Sequence, residues 1–176
     1  MVAESWRNPQ YSKQAKTYTA KQKQDLPSSF ELQGIGVVTS PYQERFATPR
    51  QPAYALADKP AIITLHAGQN FEQALQDLDT FSHIWVIYWM HLNQGWNPLV
   101  KPPRDPKNKH GVFATRAPHR PNSLGLSVVP LLSIAGRVLH IGNHDMLDGT
   151  PVLDIKPYIP ESDCMTNANA GWIDKL

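Results

Sequence analysis

The stretch between residues 101 and 120 carries the side chains best suited to binding phosphate groups. It holds six Lys and Arg residues against one carboxylate, Asp105, a net charge of +5 in twenty residues. Cations at this density attract phosphate through Coulomb forces and counterion release. Four prolines within the stretch and Pro121 just after it stiffen the chain. Phe113 and the nearby Trp96 offer rings on which the bases of single-stranded RNA stack. These features predict a nucleic acid or nucleotide surface, with a solvated, self-repelling loop as the alternative. The cations are Lys101, Arg104, Lys107, Lys109, Arg116 and Arg120.

The end of this stretch and the two residues after it, residues 116–122, read Arg-Ala-Pro-His-Arg-Pro-Asn. Its two prolines disfavour a helix, so Arg116 and Arg120 project from a stiff, extended backbone. Rigidly held guanidinium groups suit bidentate binding of a carboxylate or a phosphate, and the amide of Asn122 can pair with another amide or an adenine edge. The alternative is that both arginines form surface ion pairs.

A second group of polar side chains lies near the end of the chain, in residues 147–158. An Asp-Gly pair at its start is typical of a tight turn. In the strand that follows, a period of two places Asp154, Lys156 and Tyr158 on one face. Such a face is the solvent side of a sheet, unless it lines a pocket in which Asp154 and Lys156 form a buried pair that orients a substrate.

Histidines are the remaining candidates for chemistry. His91 ends an apolar, aromatic segment, at a position that a ligand could reach. His140 and His144 are four residues apart beside Asp145. No motif of a known metal class surrounds them, so we expect satisfied or exposed imidazoles and no metal. The single cysteine, Cys164, excludes a zinc site built on cysteines.

The elements that must position these residues are mostly strands. We predict one amphipathic helix at 70–78, with Asn70 and Gln73 as an N-terminal capping pair. The apolar pattern and the positions of Gly and Pro predict seven strands, and the one at 84–91 is apolar enough to be buried on both faces. Together these elements indicate an all-β fold, either a barrel or a sandwich. The strands are predicted at 32–39, 61–66, 84–91, 111–115, 126–134, 138–142 and 152–158.

Charge is distributed unevenly along the chain. Its 176 residues include 17 Lys and Arg and 15 Asp and Glu, a net charge of +2. Residues 1–29 hold five of these cations, two acids and almost no aliphatic side chains, and are predicted to form a disordered basic tail. The rest of the chain then carries a net −1, which argues against indiscriminate coating of nucleic acid. No apolar run is long enough to span a membrane, and the lone cysteine fits a reducing cytoplasm.

Several segments resemble one protein family, the TrmO/TsaA-like proteins, also called YaeB-like. The resemblance covers about residues 31–160 in the family's order and rests on motifs long enough to be specific. These motifs are Ile35-Gly-Val-Val-Thr-Ser-Pro-Tyr42, Phe46-Ala-Thr-Pro-Arg-Gln-Pro52, Phe81-Ser-His-Ile-Trp85, Gly111-Val-Phe-Ala-Thr-Arg116, His119-Arg-Pro-Asn122 and residues 147–158. The resemblance implies a single antiparallel β-barrel domain over residues 30–161, with one short helix and long Pro-rich loops. Residues 162–176 would then be a linker or the remnant of a missing C-terminal domain.

The resemblance also implies an enzyme that uses S-adenosylmethionine. Family members transfer its methyl group to N6 of threonylcarbamoyladenosine, next to the tRNA anticodon at position 37, and give N6-methyl-N6-threonylcarbamoyladenosine. A homodimer, a cytoplasmic location and no membrane partner are expected on the same ground. By resemblance, the cofactor would be bound by Arg50, Gln51, Pro52, Met90, His91, Arg116, Leu126, Gly149, Thr150, Pro151 and Val152.

The catalytic and substrate-binding residues are less closely specified. A base would assist the loss of the N6 proton, and His91, Asp154 and Tyr158 are candidates of which none can be assigned. Ser123 replaces the proline that is usual in the family, which loosens that loop slightly. Two alternatives stay open: a non-catalytic RNA- or nucleotide-binding module, and an S-adenosylmethionine-dependent enzyme for another small substrate. The residues expected to bind the tRNA phosphates and the threonyl carboxylate are Lys101, Arg104, Lys107, Lys109, Arg120, Asn122 and Lys156.

Overall fold

The computed structural model describes residues 29–45, 47–54 and 59–176. Residues Met1–Leu32 and Gln33–Leu176 form two separate units. Only residues 29–32 of the first unit are described, so the predicted tail lies almost entirely outside the described residues, as does Phe46 of the family motif. The architecture below is that of Gln33–Leu176.

Strands dominate the described chain. They are β1 (Gly36–Thr39), β2 (Ala61–Leu65), β3 (His83–Trp89), β4 (Leu99–Val100), β5 (His110–Gly111), β6 (Leu124–Ala135), β7 (Val138–Ile141) and β8 (Pro151–Pro157). Six of them close into an antiparallel barrel in the order β1-β2-β7-β6-β3-β8, and β4 pairs with β5 in a separate ribbon. The barrel closes because Gly36 of β1 lies opposite Leu65 on one side and Val152 on the other. The expected all-β barrel is thereby confirmed.

Alternate residues of the barrel strands point inward and form the core. Ile63, Ile84, Val86, Val129 and Leu139 are all fully buried. A closed barrel has one interior, and successive side chains of a strand point to opposite faces, so each strand supplies every second residue. Side chains from all six strands therefore meet in one core.

The apolar strand β3 also alternates between core and surface, so the prediction that both of its faces are buried is wrong. Its inward residues are buried, whereas Trp85 is only partly covered and Trp89 is 49% exposed. Trp85 gains its cover from the C-terminal segment, since its indole donates a hydrogen bond of 3.0 Å to Asp163.

The predicted helix is much shorter than its apolar pattern indicates. Helix α1 spans Phe71–Ala74, a single turn, and a separate 3-10 turn spans Leu78–Thr80. Asp77 lies between them with a φ of 65°, a left-handed conformation that keeps the two turns from forming one continuous helix. Asn70 is also left-handed, and its side chain bonds to the Gln73 side chain (2.6 Å) instead of a backbone N–H. The two residues do pair, but Asn70 does not cap the helix through its side chain.

The predicted strand at 111–115 is mostly a 3-10 turn, Val112–Ala114, and only Gly111 belongs to a strand. Thr115 explains the difference, because its backbone N–H and its hydroxyl both donate to the Val112 carbonyl, at 3.2 and 2.9 Å. Threonine side chains that bond to nearby backbone compete with strand pairing.

The antiparallel order gives the barrel two different ends. At one, the loop end, the connections 40–60, 90–123 and 142–150 emerge. At the other, the helical end, residues 66–82 carry α1 and its 3-10 turn, and a tight turn joins β6 to β7. Helix α2 (Pro160–Asp163) and a 3-10 helix (Gly171–Lys175) follow β8. In the part of the chain that the structure describes, no helix is long and apolar enough to cross a membrane.

Candidate functional site

The loop end collects every segment predicted to bind the cofactor. Antiparallel pairing brings these chain ends together, since Trp89 lies opposite Leu124 and Tyr88 lies opposite Val152. Residues far apart in the sequence therefore surround one end of the barrel. The segments gathered there are residues 50–52, Met90, His91, Arg116, Leu126 and residues 149–152.

The turn that precedes β8 is held in place by β1 and the residue that follows it. Gly149 donates its N–H to the Val38 carbonyl (2.9 Å), and the Asp148 carboxylate accepts a hydrogen bond from the Ser40 N–H at the same distance. Gly149 has a φ of +72°, a region in which residues with a Cβ are strained, and nothing lies within 4 Å of the position a Cβ would take. The predicted cofactor turn is fixed by its neighbours and open on its outer side.

The loop after β1 packs beside β6. Its 3-10 turn, Pro52–Tyr54, contacts β6, the strand that carries Leu126. Leu126 is 55% exposed, so its apolar side chain stays open to a ligand. Tyr54 accepts a hydrogen bond from Arg104 (2.9 Å), which joins this loop to the basic stretch.

Two exposed guanidinium groups at this end are available to an anion. Arg50 and Arg116 form no hydrogen bond and no ion pair with any described residue. Cations beside exposed apolar side chains suit a ligand that joins a carboxylate to a nucleoside. S-adenosylmethionine has this composition, so the residues predicted to bind it fit it chemically.

Residues 99–111 form a hairpin whose strands are β4 and β5, and its loop holds the first part of the basic stretch. We call it the basic hairpin, and its one acid, Asp105, points inward. Asp105 is buried and accepts hydrogen bonds from the Asn108 amide (3.0 Å) and the His110 ring (3.1 Å). The bonds from Asn108, and then that from His110, lower the pKa of the Asp105 carboxyl. The carboxylate is thus occupied by its own loop, and the cations dominate the outer surface. Three exposed lysines lie there: Lys101, Lys107 and Lys109.

The C-terminal 3-10 helix braces this hairpin from outside. The Trp172 indole stacks on the His110 ring with centroids 3.9 Å apart, and its N–H donates to the Ala114 carbonyl (2.8 Å). Residues 162–176, expected to be a linker or a remnant, therefore include a defined contact with the predicted RNA surface.

Arg120 supports its own loop, in contrast to Arg116. Its side chain is half-buried, and Nη1 donates to the carbonyls of Thr115 (3.1 Å) and Ala117 (3.2 Å). The expectation that two arginines project freely from this segment is therefore correct for Arg116 only. Asn122 is exposed, as expected of a residue that contacts a substrate.

Asp154 and Lys156 form a surface pair and not a buried one. Their charged atoms lie 2.8 Å apart, and their side chains are 46% and 61% exposed. Tyr158 lies further along, where its N–H bonds to His83 at the helical end. At about 3.3 Å per residue, β3 separates His83 from Met90 by roughly 20 Å. The structure does not bring Lys156 or Tyr158 together with the predicted cofactor residues.

His91 is both a predicted base and a predicted cofactor residue, and it lies at the loop end. It follows β3 directly and is half-buried, and its ring packs edge-on against the Trp89 ring, with centroids 6.3 Å apart. Asp154 instead lines an apolar cavity that extends to the helical end.

Two cavities lie toward the helical end. The first, of about 370 Å³, is lined mainly by apolar side chains such as Phe71 and Phe81. The second, of about 450 Å³, includes Glu72, Ile134 and Gly136. Neither cavity is lined by a predicted cofactor residue. The predicted site is an exposed surface at the loop end.

A buried polar network at the loop end escapes sequence analysis. Asp145 Oδ1 accepts hydrogen bonds from Ser127 Oγ (2.7 Å) and from the Tyr88 hydroxyl (3.4 Å). Ser127 and Tyr88 are both buried. The sequence signal is weak, because Ser127 is one of two serines in an otherwise apolar strand. Gly125 is the better signal: a glycine inside a strand marks close approach, and a Cβ there would lie 2.2 Å from the Tyr88 ring.

The histidines near this network have no shared role. His140 lies on β7, opposite Ile62 of β2. His144 is fully buried, and its ring lies 5.0 Å from the Tyr42 ring. Burial lowers the pKa of His144, which favours the neutral imidazole. The expectation of a satisfied or exposed His144 is met only in part: its Nδ1 accepts a hydrogen bond from the Met146 N–H (3.3 Å), whereas its Nε2 has no partner among the described residues. No group of three metal-ligating side chains occurs among the described residues.

Residues 37–164 match the family described as the tRNA-methyltransferase O N-terminal domain. A tRNA (adenine(37)-N6)-methyltransferase of Escherichia coli (strain K12) is 43% identical over 154 residues, covering 82% of this chain and 64% of that protein. A probable S-adenosyl-L-methionine-binding protein of Pyrococcus abyssi is 44% identical over 150 residues, covering 85% of this chain and 79% of that protein.

Solved structures agree with the fold. The crystal structure of TrmO from Pseudomonas aeruginosa superposes with a TM-score of 0.70 at 38% identity, covering 82% of this chain and 62% of that one. The present chain thus spans a little under two thirds of the length of the E. coli and P. aeruginosa proteins.

Proposed function

The chain belongs to the tRNA-methyltransferase O N-terminal domain family, and we propose that it methylates N6 of adenosine 37 in tRNA. The methyl donor would be S-adenosylmethionine, and the acceptor would be the threonylcarbamoyl form of that adenosine. One observation carries the proposal: the residues suited to the cofactor and the braced basic hairpin lie at the same end of one barrel. The names of the E. coli and P. abyssi relatives, which specify adenine 37 and S-adenosyl-L-methionine, support it.

The cofactor has a chemically matched set of groups at the loop end. Arg50 and Arg116 would bind its carboxylate, and Met90 and Leu126 would supply apolar contact beside its sulfonium. The positive charge on sulfur disperses as the methyl group leaves, so partly apolar surroundings favour the transfer. The Gly149 turn, held by Val38, would offer backbone groups to the nucleoside. Most of the rate would come from holding donor and acceptor in line.

The tRNA would bind across the basic hairpin. Its three exposed lysines would contact phosphates of the anticodon loop, whose single-stranded bases are accessible for modification. Arg104 lies between the hairpin and the cofactor loop, where it bonds to Tyr54. The remaining donors of Arg120 and the amide of Asn122 would meet the modified base and its threonyl carboxylate. Such a substrate implies that the protein works in the cytoplasm.

A second copy of the chain would complete this open surface. Trp89 and Leu124 lie opposite each other on β3 and β6, and with Leu126 they expose apolar side chains beside the predicted site. Exposed apolar groups of this kind mark interaction surfaces. Sedimentation equilibrium with the wild-type protein and with Leu124→Asp would test the dimer, and a wild-type monomer at micromolar concentration would exclude it.

The decisive test of the activity compares two versions of one tRNA. Purified protein is incubated with methyl-labelled S-adenosylmethionine and with tRNA that either carries threonylcarbamoyladenosine at position 37 or carries plain adenosine there. Mass spectrometry of the nucleosides should show one added methyl group in the modified tRNA only. Methylation of plain adenosine would overturn the choice of acceptor. No methylation of either tRNA, with the cofactor bound, would favour a non-catalytic binding module.

Two variants of Arg116 connect this activity to the site. Arg116→Ala removes the cation, whereas Arg116→Lys keeps the charge but loses the planar fork of donors. We expect calorimetry to show cofactor affinity about tenfold or more weaker in the alanine variant, the effect of one lost charged hydrogen bond, with a smaller loss in the lysine variant. Equal affinities in all three proteins would remove Arg116 from the cofactor site.

A further inference from the structure

We propose that Asp145 accepts the N6 proton during methyl transfer, and that Ser127 and Tyr88 are the positioning residues that aim its carboxylate. This inference rests on the proposed function and goes beyond it, because none of the sequence-predicted bases is Asp145. Of those bases, Tyr158 lies toward the helical end, and Asp154 forms a surface ion pair with Lys156.

The geometry of the carboxylate supports this role. One oxygen, Oδ1, is fixed by Ser127 Oγ at 2.7 Å and by the Tyr88 hydroxyl at 3.4 Å, and these two hydroxyls are themselves 3.3 Å apart. No other described residue donates a hydrogen bond to the second oxygen, Oδ2. The residue is only half-buried, so one side of it reaches the surface. A carboxylate with one oxygen anchored and the other free is arranged as a proton acceptor.

The position of the network in the barrel supports the role as well. Ser127 follows Leu126 directly on β6, so the inward hydroxyl and the outward cofactor contact belong to one short piece of strand. Tyr88 lies opposite Val152, the last residue of the predicted cofactor turn. The ring of Tyr88 occupies the space that a side chain at Gly125 would need. The network therefore lies directly beneath the predicted cofactor surface.

Electrostatics favour a base that is stronger than an ordinary aspartate. Burial raises the pKa of Asp145, while hydrogen bonds from Ser127, from its own backbone N–H and from Tyr88, and the charge of Arg116, oppose this change. These are the polar and charged groups that face the carboxylate from β3, from β6 and from the connection before β6. A carboxylate with a raised pKa is a stronger base and takes a proton more readily.

The proposed step balances in atoms and charge. The N6 nitrogen forms a bond to the methyl carbon, and the electron pair of the carbon–sulfur bond returns to sulfur, which becomes a neutral thioether. The N6 proton moves to Oδ2 of Asp145 and is later lost to water. No oxidant, reductant or metal enters this balance.

The first test replaces the carboxylate by its closest neutral analogue. Asp145→Asn should lower the single-turnover rate of methyl transfer at neutral pH at least about 100-fold, the usual contribution of a positioned base. Its affinities for S-adenosylmethionine and for modified tRNA, measured by calorimetry, should stay within about threefold of wild type. Asp79→Asn, the same change at an exposed position of the helical end, is the matched control and should leave the rate unchanged.

The second test changes the positioning residues and combines the pH–rate profile with an NMR measurement that does not need turnover. The Ser127 hydrogen bond stabilises the charged carboxylate, so Ser127→Ala should raise the pKa of Asp145. The acid limb of the pH–rate profile should then move to higher pH, and carbon NMR of labelled aspartate carboxyls should show the same displacement. Tyr88→Phe removes a longer hydrogen bond and should cause a smaller displacement in the same direction.

Three results would overturn the proposal. They are an Asp145→Asn rate within about threefold of wild type, a Ser127→Ala profile that does not move, and an Asp145 signal that does not titrate with the rate. If Asp145→Asn fails to fold, Ser127→Ala decides alone. A wild-type protein that transfers no methyl group overturns the proposed function as well, whereas equal rates in wild type and Asp145→Asn overturn this inference only.

Discussion

The two ends of the barrel are built from the same strands but differ in what they bury. At the helical end, α1 and its 3-10 turn cover an apolar interior, and Arg137 ties the β6–β7 turn to the Leu65 carbonyl and to Glu72 (3.2 Å). At the loop end, the buried side chains include Ser40, Ser127, His144 and Thr150. Apart from Asp105 in the hairpin, these are all the buried polar side chains of the described residues.

This difference shows where the fold tolerates unfavourable interactions. A buried polar group destabilises a protein unless it is hydrogen-bonded, and even then it contributes less than an apolar side chain would. The helical end avoids that cost and is closed by local structure. The loop end contains such buried polar groups. It also exposes apolar side chains, and guanidinium groups that have no protein partner among the described residues. The separation predicts that changes at one end alter stability and changes at the other alter binding or rate.

The largest effect on stability is expected from a core residue toward the helical end. Leu139 is fully buried opposite Ile63. Leu139→Ala should lower the free energy of unfolding by about 2–5 kcal/mol, because it removes buried methyl groups and leaves a cavity. Urea denaturation measures this loss. Cofactor affinity of the folded variant should be unchanged, and a change beyond threefold would contradict the separation of the two ends.

A smaller effect, confined to tRNA binding, is expected at the C-terminal brace. Trp172→Ala removes both the stack on His110 and the hydrogen bond to Ala114, so the hairpin is less well ordered before it binds. We expect tRNA affinity about fivefold weaker, equivalent to about 1 kcal/mol, in filter binding at fixed salt. Trp172→Phe keeps a ring on His110 and should lose less. Weakened cofactor binding in either variant would show that the brace also supports the cofactor surface.

The smallest effect is expected at the surface pair on β8. Lys156→Gln breaks an exposed ion pair with Asp154, and such pairs contribute about 0–1 kcal/mol. The equilibrium constants for unfolding and for tRNA binding should therefore each change by less than about fivefold. A tenfold loss of tRNA affinity would restore the sequence-based assignment of Lys156 to the substrate site.

The sequence predicts the barrel well, and the reasons are local. Every second residue of β2, β3 and β7 is apolar and buried, and short apolar runs bounded by Gly, Pro or polar residues are enough to locate these strands. The helix at 70–78 is predicted too long because its apolar spacing is helical while two of its residues, Asn70 and Asp77, are left-handed. Their conformation depends on how the segment closes the helical end, which no local pattern records.

The candidate site is predicted less completely. The cofactor segments gather at one end as the resemblance implies, and the basic hairpin is visible from charge alone. The sequence does not show that Asp105 points inward or that Arg120 bonds to the carbonyls of its own loop. Both features depend on hydrogen bonds with particular neighbours. The contact of Ser127 with Asp145 joins β6 to the connection before β8, and it becomes apparent only when the barrel is closed.

The pairing of β1 with β8 has a consequence for the order of events in the cell. Gly36 lies opposite Val152, and the Val38 carbonyl accepts a hydrogen bond from the Gly149 turn. The first strand of the barrel can therefore complete its pairing only when the last strand is present. Contacts between such distant parts of a chain form slowly, because the chain between them loses conformational entropy before the contacts stabilise the fold. A nascent chain therefore cannot close the barrel, nor complete the site that we propose at its loop end, until β8 has emerged.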